Sequence, residues 1–172
     1  TVSKLEYDHP YFSGETIEVF YPKEKAGKVP TIFFCHGYGG VNSLYINGMI
    51  QYIAKKGYAL VYVPYPTTGV SIEDRYDILR EGFRHAARKY PQIIDTTKVG
   101  FMGHSFGGGA MFGVAHACFT QNNWGSEGRF LFSLAPWYSY QLTPEQLNSF
   151  PADTKLIMHV YEEDVLNDHR MA

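Results

Sequence analysis

Cysteine is scarce in this sequence: Cys35 and Cys118 are the only two in 172 residues. Two thiols cannot build a disulfide framework or a cysteine-rich zinc site. At most they make one bridge. Both sit in apolar segments, where a buried free thiol is the commoner outcome. Also lacking is any excess of positive charge, since Lys+Arg 15 against Asp+Glu 17 leaves a net charge of -2. A nucleic-acid surface needs a basic surplus, so that class of partner is not expected. No apolar run approaches the ~18 residues needed to span a bilayer, so no membrane span is expected either. Internal repeats, low-complexity tracts and a linker between domains are missing as well. The sequence starts at Thr1 without a Met or a charged-then-apolar leader, which points to a processed or trimmed terminus.

Apolar residues, in contrast, are plentiful. They make up 45% of the chain against 19% charged, enough for a packed core and too many for disorder. These features predict a soluble globular chain; whether it is secreted is left open. Tyr 14 and Phe 12 raise the aromatic share to 16%, so some rings are available to line a pocket.

Thr16–Tyr21 alternates polar and apolar, as a half-exposed antiparallel strand does, and Lys23–Pro30 reads as charged turn material. Short apolar runs follow at Thr31–Cys35, Ala59–Val63, Val99–Met102, Phe130–Leu134 and Leu156–Val160. Runs of this kind suit parallel strands covered on both faces. Helical spacing lies between several of them. Ile46, Met49, Ile50 and Ile53 form one stripe, with Gly57 where a C-terminal cap belongs. Ser71 with Asp74 makes a capping box for a second helix that Pro91 closes. Phe106–Phe119 is apolar nearly all round, as a central buried helix would be. The alternation predicts an α/β fold with a mainly parallel central sheet flanked by helices. In such sheets the chemistry sits at the carboxyl ends of the strands.

Three strand ends carry unusual residues. Gly103-His104-Ser105-Phe106-Gly107, followed by two more glycines, is G-x-S-x-G between a strand and a buried helix. A serine on that sharp turn projects its Oγ above the sheet as a nucleophile, and small neighbours are needed for steric reasons. The competing reading is a glycine-rich turn with a chance serine. At the end of another strand, His36-Gly37-Tyr38-Gly39-Gly40 can aim backbone N–H groups at an oxyanion. The expected donors are the N–H groups of Tyr38 and Phe106, with His36 holding the loop by hydrogen bonding. The third place is Tyr161-Glu162-Glu163-Asp164 beyond the last apolar run. The chain order Ser, acid, His puts an acid here, and its place just beyond the strand favours Asp164 over Glu163 and Asp168. The alternative is a solvated acidic loop. No glycine-punctuated ligand pattern supports a divalent metal.

These motifs, HGYGG (36–40), DTTKVGFMGHSFGGGA (95–110), LAPW (134–137) and VYEED (160–164), resemble the α/β-hydrolase superfamily. Within it they are similar to the dienelactone-hydrolase-like and cutinase-like polyester hydrolase group. The resemblance runs from about residue 15 to the end. It implies a serine ester hydrolase with Ser105 as nucleophile, Tyr38 and Phe106 as the oxyanion hole, Asp164 as the acid, and Trp137 on the wall of the substrate cleft. No cofactor and no metal are implied; the partner is a small-molecule or polymeric ester. Lipase, peptidase and thioesterase activities share this machinery, and a non-catalytic ligand-binding domain on the same fold is the rival of a different class.

One departure from the family is serious. Its catalytic histidine lies on a loop after one further strand, and residues 161–172 are too few for a strand plus a loop. His9, His85, His104, His116 and His159 are badly placed to replace it, and His169 lies only five residues past Asp164. The expectation is therefore a single α/β-hydrolase domain over 1–172, incomplete at its C-terminal end. A missing remainder of the chain or a second polypeptide segment would then supply the histidine, unless the protein has lost its base.

Overall fold

The computed structural model describes residues 1–138, 140–168 and 170. Seven strands form one sheet: β1 (Val2–Asp8), β2 (Thr16–Pro22), β3 (Val29–Cys35), β4 (Ala59–Tyr62), β5 (Ile94–His104), β6 (Gly128–Leu134) and β7 (Lys155–His159). Their order across the sheet is β1-β2-β4-β3-β5-β6-β7. β2 runs antiparallel to both of its neighbours, whereas the pairs from β4 through β7 are all parallel. The helices are α1 (Asn47–Lys55), α2 (Ile72–Lys89), α3 (Phe106–Gln121) and the short α4 (Pro144–Asn148).

Strand periodicity sorts the core into two layers, because successive side chains point to opposite faces. Phe33, Val61 and Phe101 point to the side where Leu79 and Phe83 of α2 and Met111 of α3 pack. Ile32, Phe34, Leu60 and Tyr62 point the other way, onto Ile50 and Ile53 of α1. α3 is buried on nearly its whole circumference, which explains its lack of a polar face. The Ser71 hydroxyl accepts from the Asp74 N–H and caps α2, and Lys89 is its last helical residue before Tyr90 and Pro91. Both cysteines are free and buried, as their apolar surroundings suggest.

Three expectations need correction. Residues 29 and 30 belong to β3 rather than to the preceding turn. β1 and α4 are additional elements. The signals for both are present: Leu5 and Tyr7 alternate with charged residues, and Thr143-Pro144-Glu145-Gln146 forms a full capping box. The largest difference concerns the last strand. β7 is not covered on both faces: Leu156 and Ile157 are 53% and 51% exposed. Among the described residues β7 is the sheet edge, paired with β6 alone.

Candidate active site

The centre of the sheet presents its carboxyl end to a turn that only small residues permit. β5 ends at His104 and α3 begins at Phe106, leaving Ser105 between them at φ 55°, ψ -120°. A positive φ is unfavourable for a residue with a Cβ, by about 1–3 kcal/mol. Neighbouring contacts hold it there. The Ser105 N–H donates to the Leu134 carbonyl at 3.0 Å, and its carbonyl accepts from the Trp137 N–H at 2.9 Å. A Cβ on Gly103 would run into the Gly107 carbonyl, and one on Gly107 would run into the Cys35 carbonyl. The spacing of glycines around the serine is thus a packing requirement of the crossing between β3, β5 and α3.

The His36–Gly40 loop lies beside this turn. The Gly40 N–H donates to the Gly37 carbonyl at 2.9 Å, and Gly39 takes φ 80°, a conformation that suits glycine. His36 is fully buried beneath the loop, stacked on Tyr65 with ring centroids 3.9 Å apart. Its Nε2 accepts from the Tyr65 N–H at 3.1 Å, which leaves the proton on Nδ1 to donate to the Gly37 carbonyl at 2.7 Å. Burial pushes its pKa down to about 4, with the Gly37 hydrogen bond opposing the shift. The ring is therefore neutral and structural. Tyr65 also donates to the His36 carbonyl at 2.8 Å, and the Tyr62 hydroxyl donates to the Gly40 carbonyl. The Tyr45 hydroxyl accepts from the Gly37 N–H at 3.4 Å. Three tyrosines thus brace the loop. Sequence reasoning singled out only His36, because rings arriving from β4 and the 43–46 turn show no local signal.

Ser105, His104, Tyr38, Tyr45 and Leu166 share an open cavity of about 600 Å³ with Gly37, Gly39, Gly40 and Asn42. Phe106 is the first residue of α3, so its N–H is among those without a partner inside the helix. Its side chain points down into the core. Trp137 is half-buried, stacks on the Phe106 ring at 5.4 Å, and lies outside the cavity lining.

Asp164 follows β7 and reaches the same place from the sheet edge. Its Oδ1 accepts from the N–H groups of Leu166 and Asn167 at 2.9 and 2.8 Å. These bonds hold its pKa below the usual carboxylate range, with the Asn167 carboxamide and the charge of His104 adding to the effect. Asn167 Nδ2 stands between the two polar groups, 3.4 Å from Ser105 Oγ and 3.5 Å from Asp164 Oδ2. Both contacts are long for hydrogen bonds. A carboxamide thus sits where a base would have to stand.

Among the described residues no histidine nitrogen bonds to Ser105 Oγ. His104 lines the cavity, and its pKa is lowered by desolvation while the Asp164 charge pulls the other way. His9 is buried with Nε2 on the Pro64 carbonyl, and His116 bonds the Ser149 hydroxyl. His169 lies outside the described residues. Glu162 and Glu163 are exposed. Burial raises both thiols, Cys118 to about 12, so neither is poised as a nucleophile. Among the described residues no group of His, Cys, Asp and Glu is placed to hold a metal ion. Among the described residues no helix is long and apolar enough to cross a membrane.

Several solved structures share this fold. A bacterial heroin esterase is 23% identical with a TM-score of 0.62, over 78% of this chain and 44% of its own. Esterase B from Lactobacillus rhamnosis, inhibited, is 19% identical with a TM-score of 0.67, over 81% and 51%. A dienelactone hydrolase-like promiscuous phosphotriesterase from metagenomic libraries is 14% identical with a TM-score of 0.69, over 99% and 72%. This chain spans about half the length of the first two. At these identities the likeness establishes the α/β-hydrolase fold. A comparison with curated proteins gives no match. The chlorophyllase family model matches residues 4–124, which include the His36–Gly40 loop and the Ser105 turn. Covering well over half of the sequence, that match shows that the chain belongs to the chlorophyllase family.

Proposed function

We propose that the protein is a serine hydrolase cleaving carboxylic esters through an acyl-enzyme. The observation that carries this reading is Ser105 itself, held at φ 55° between β5 and α3 in the lining of an open cavity. In the proposed reaction Ser105 Oγ attacks the ester carbonyl, and the Tyr38 and Phe106 N–H groups receive the developing oxyanion. The alcohol leaves, and water then releases the acid. Asp164 orients an imidazole that takes the serine proton and returns it to the leaving alcohol. That imidazole comes from a segment outside the described residues and displaces the Asn167 carboxamide. The exposed rings of Tyr38 and Tyr45, together with Leu166, suit an apolar acyl or alcohol group. Trp137 acts one step further back, supporting Phe106 and bordering the larger substrates.

A ligand-binding domain without chemistry is the second reading, and the bridging Asn167 favours it. Turnover separates the two. Hydrolysis of p-nitrophenyl acetate, butyrate and octanoate is measured with the natural full-length polypeptide. Ser105→Ala is expected to lower kcat by about 10⁴-fold or more, and Asp164→Asn by somewhat less. Turnover that survives Ser105→Ala contradicts the proposed nucleophile. No turnover by the parent favours the binding domain.

A further inference from the structure

Arg75 occupies a position that α2 has no reason to choose. It lies in the opening turns of the helix, and its N–H makes the first bond to the Ser71 carbonyl at 3.2 Å. A cation there opposes the partial positive charge of the helix N-terminus. The nearby carboxylates do not compensate it. Glu73 accepts from Gln141, Asp77 pairs with Arg80, and among the described residues Arg75 forms no ion pair. Its Nε is buried without a hydrogen-bond partner. An unsatisfied buried donor and an unpaired charge are each costly.

What the guanidinium gains is a contact with the side-chain rings of the two residues whose N–H groups form the proposed oxyanion hole. Its carbon lies 5.4 Å from the Phe106 ring centroid and 5.8 Å from that of Tyr38. Nη2 donates to the Thr67 carbonyl at 2.9 Å and to the Val70 carbonyl at 3.4 Å, anchoring the β4–α2 loop at the same point. Tyr38 is 62% exposed and sits on a glycine-rich turn, so little else restrains its side chain. Phe106 is fixed in the core.

We infer that Arg75 is a positioning residue: by facing both rings it clamps the Tyr38 turn against Phe106, the two residues whose N–H groups would hold the oxyanion. This inference rests on the ester-hydrolase reading for its consequence, but the clamp has its own readout. A planar cation is needed to face two rings at once, so lysine should replace it only in part.

The test compares Arg75→Met and Arg75→Lys with the parent, all as the natural full-length polypeptide. Two quantities are read: amide hydrogen exchange of residues 37–40, and kcat and KM for p-nitrophenyl butyrate. Arg75→Met is expected to speed exchange of the Gly40 amide, which bonds the Gly37 carbonyl, by roughly tenfold or more, with β5 unchanged. Its kcat should fall roughly 10- to 100-fold with KM within about twofold, since misplacing a donor acts on the transition state. Arg75→Lys should recover part of the kcat. A residue that merely anchors the 67–70 segment would loosen that segment and leave Gly40 unchanged. Unchanged exchange at Gly40, or a kcat within about threefold of the parent, overturns the inference. Exchange needs no turnover, so it decides the clamp even if Ser105→Ala shows that the ester-hydrolase reading has failed.

Discussion

The middle of the sheet and its β7 edge carry different halves of the site, and they are built differently. Ser105, Tyr38 and Phe106 rise from β3, β5 and α3, whose side chains are buried on both faces. Asp164 and Asn167 hang from an edge strand whose apolar side chains are half exposed. In the middle each polar group is fixed by several others. At the edge, Asp164 is fixed mainly by N–H groups from its own turn. The half that carries Ser105, Tyr38 and Phe106 is therefore preorganised by packing, and the half that carries Asp164 by local hydrogen bonds. An element that covers β7 would be expected to stiffen the second half far more than the first.

The strongest way to break this contrast is to disturb the packed half. Gly107→Ala places a methyl group against the Cys35 carbonyl, where the crossing backbone cannot withdraw. It should destabilise the protein by about 3 kcal/mol or abolish folding, as read by denaturant titration. A Gly107→Ala protein as stable as the parent would show that the crossing is looser than described.

Acid should strike the same half. His36 titrates at about 4 when folded against 6.5 in an unfolded chain. The unfolded state then binds the extra proton between those values, so stability is full above about pH 6.5 and is lost as pH falls toward 4. The loss attributable to His36 is up to about 3 kcal/mol, and His9, also near 4, adds to the slope in the same direction. Replacing His36 with Gln should flatten the stability profile between pH 6.5 and 4. An unchanged profile would mean that His36 is not buried neutral.

A smaller effect of opposite sign is expected at Ser105. Ser105→Gly removes the Cβ at φ 55° and should raise stability by about 1 kcal/mol, whereas Ser105→Ala should not. Equal stability for both variants would argue against backbone strain at the turn. At the edge the effect should be smallest. Ile157→Ser in the polypeptide of residues 1–172 should change stability by less than about 0.5 kcal/mol. A larger loss would mean that β7 is covered, by another copy or by another segment.

The same contrast explains what could be read from the sequence. Gly103–Gly109 and the buried helix after it were legible because local sterics and tertiary packing demand the same residues. The Ser71 cap and Pro91 bounded α2 to within about two residues, since caps are local chemistry. Leu156–Val160 also reads as a buried strand, yet periodicity reports side-chain type and not what lies over it. Tyr45, Tyr62, Tyr65 and Arg75 were missed as parts of the site. Each acts across 8 or more positions of sequence through a ring or a long side chain, so no spacing rule points to it. Asn167 was missed for another reason: its carboxamide matters only because Asp164 and Ser105 converge on it. β1 is a short alternating edge strand and was visible in the alternation of Leu5 and Tyr7.

The proposed chemistry depends on Ser105 being an activated nucleophile rather than a residue of a binding turn. Fluorophosphonate labelling of the natural full-length polypeptide, followed by peptide mass analysis, tests it most directly. A single adduct is expected on the peptide containing Ser105, lost in Ser105→Ala and retained in Trp137→Ala. No adduct on the parent, or an adduct that persists in Ser105→Ala, would contradict it.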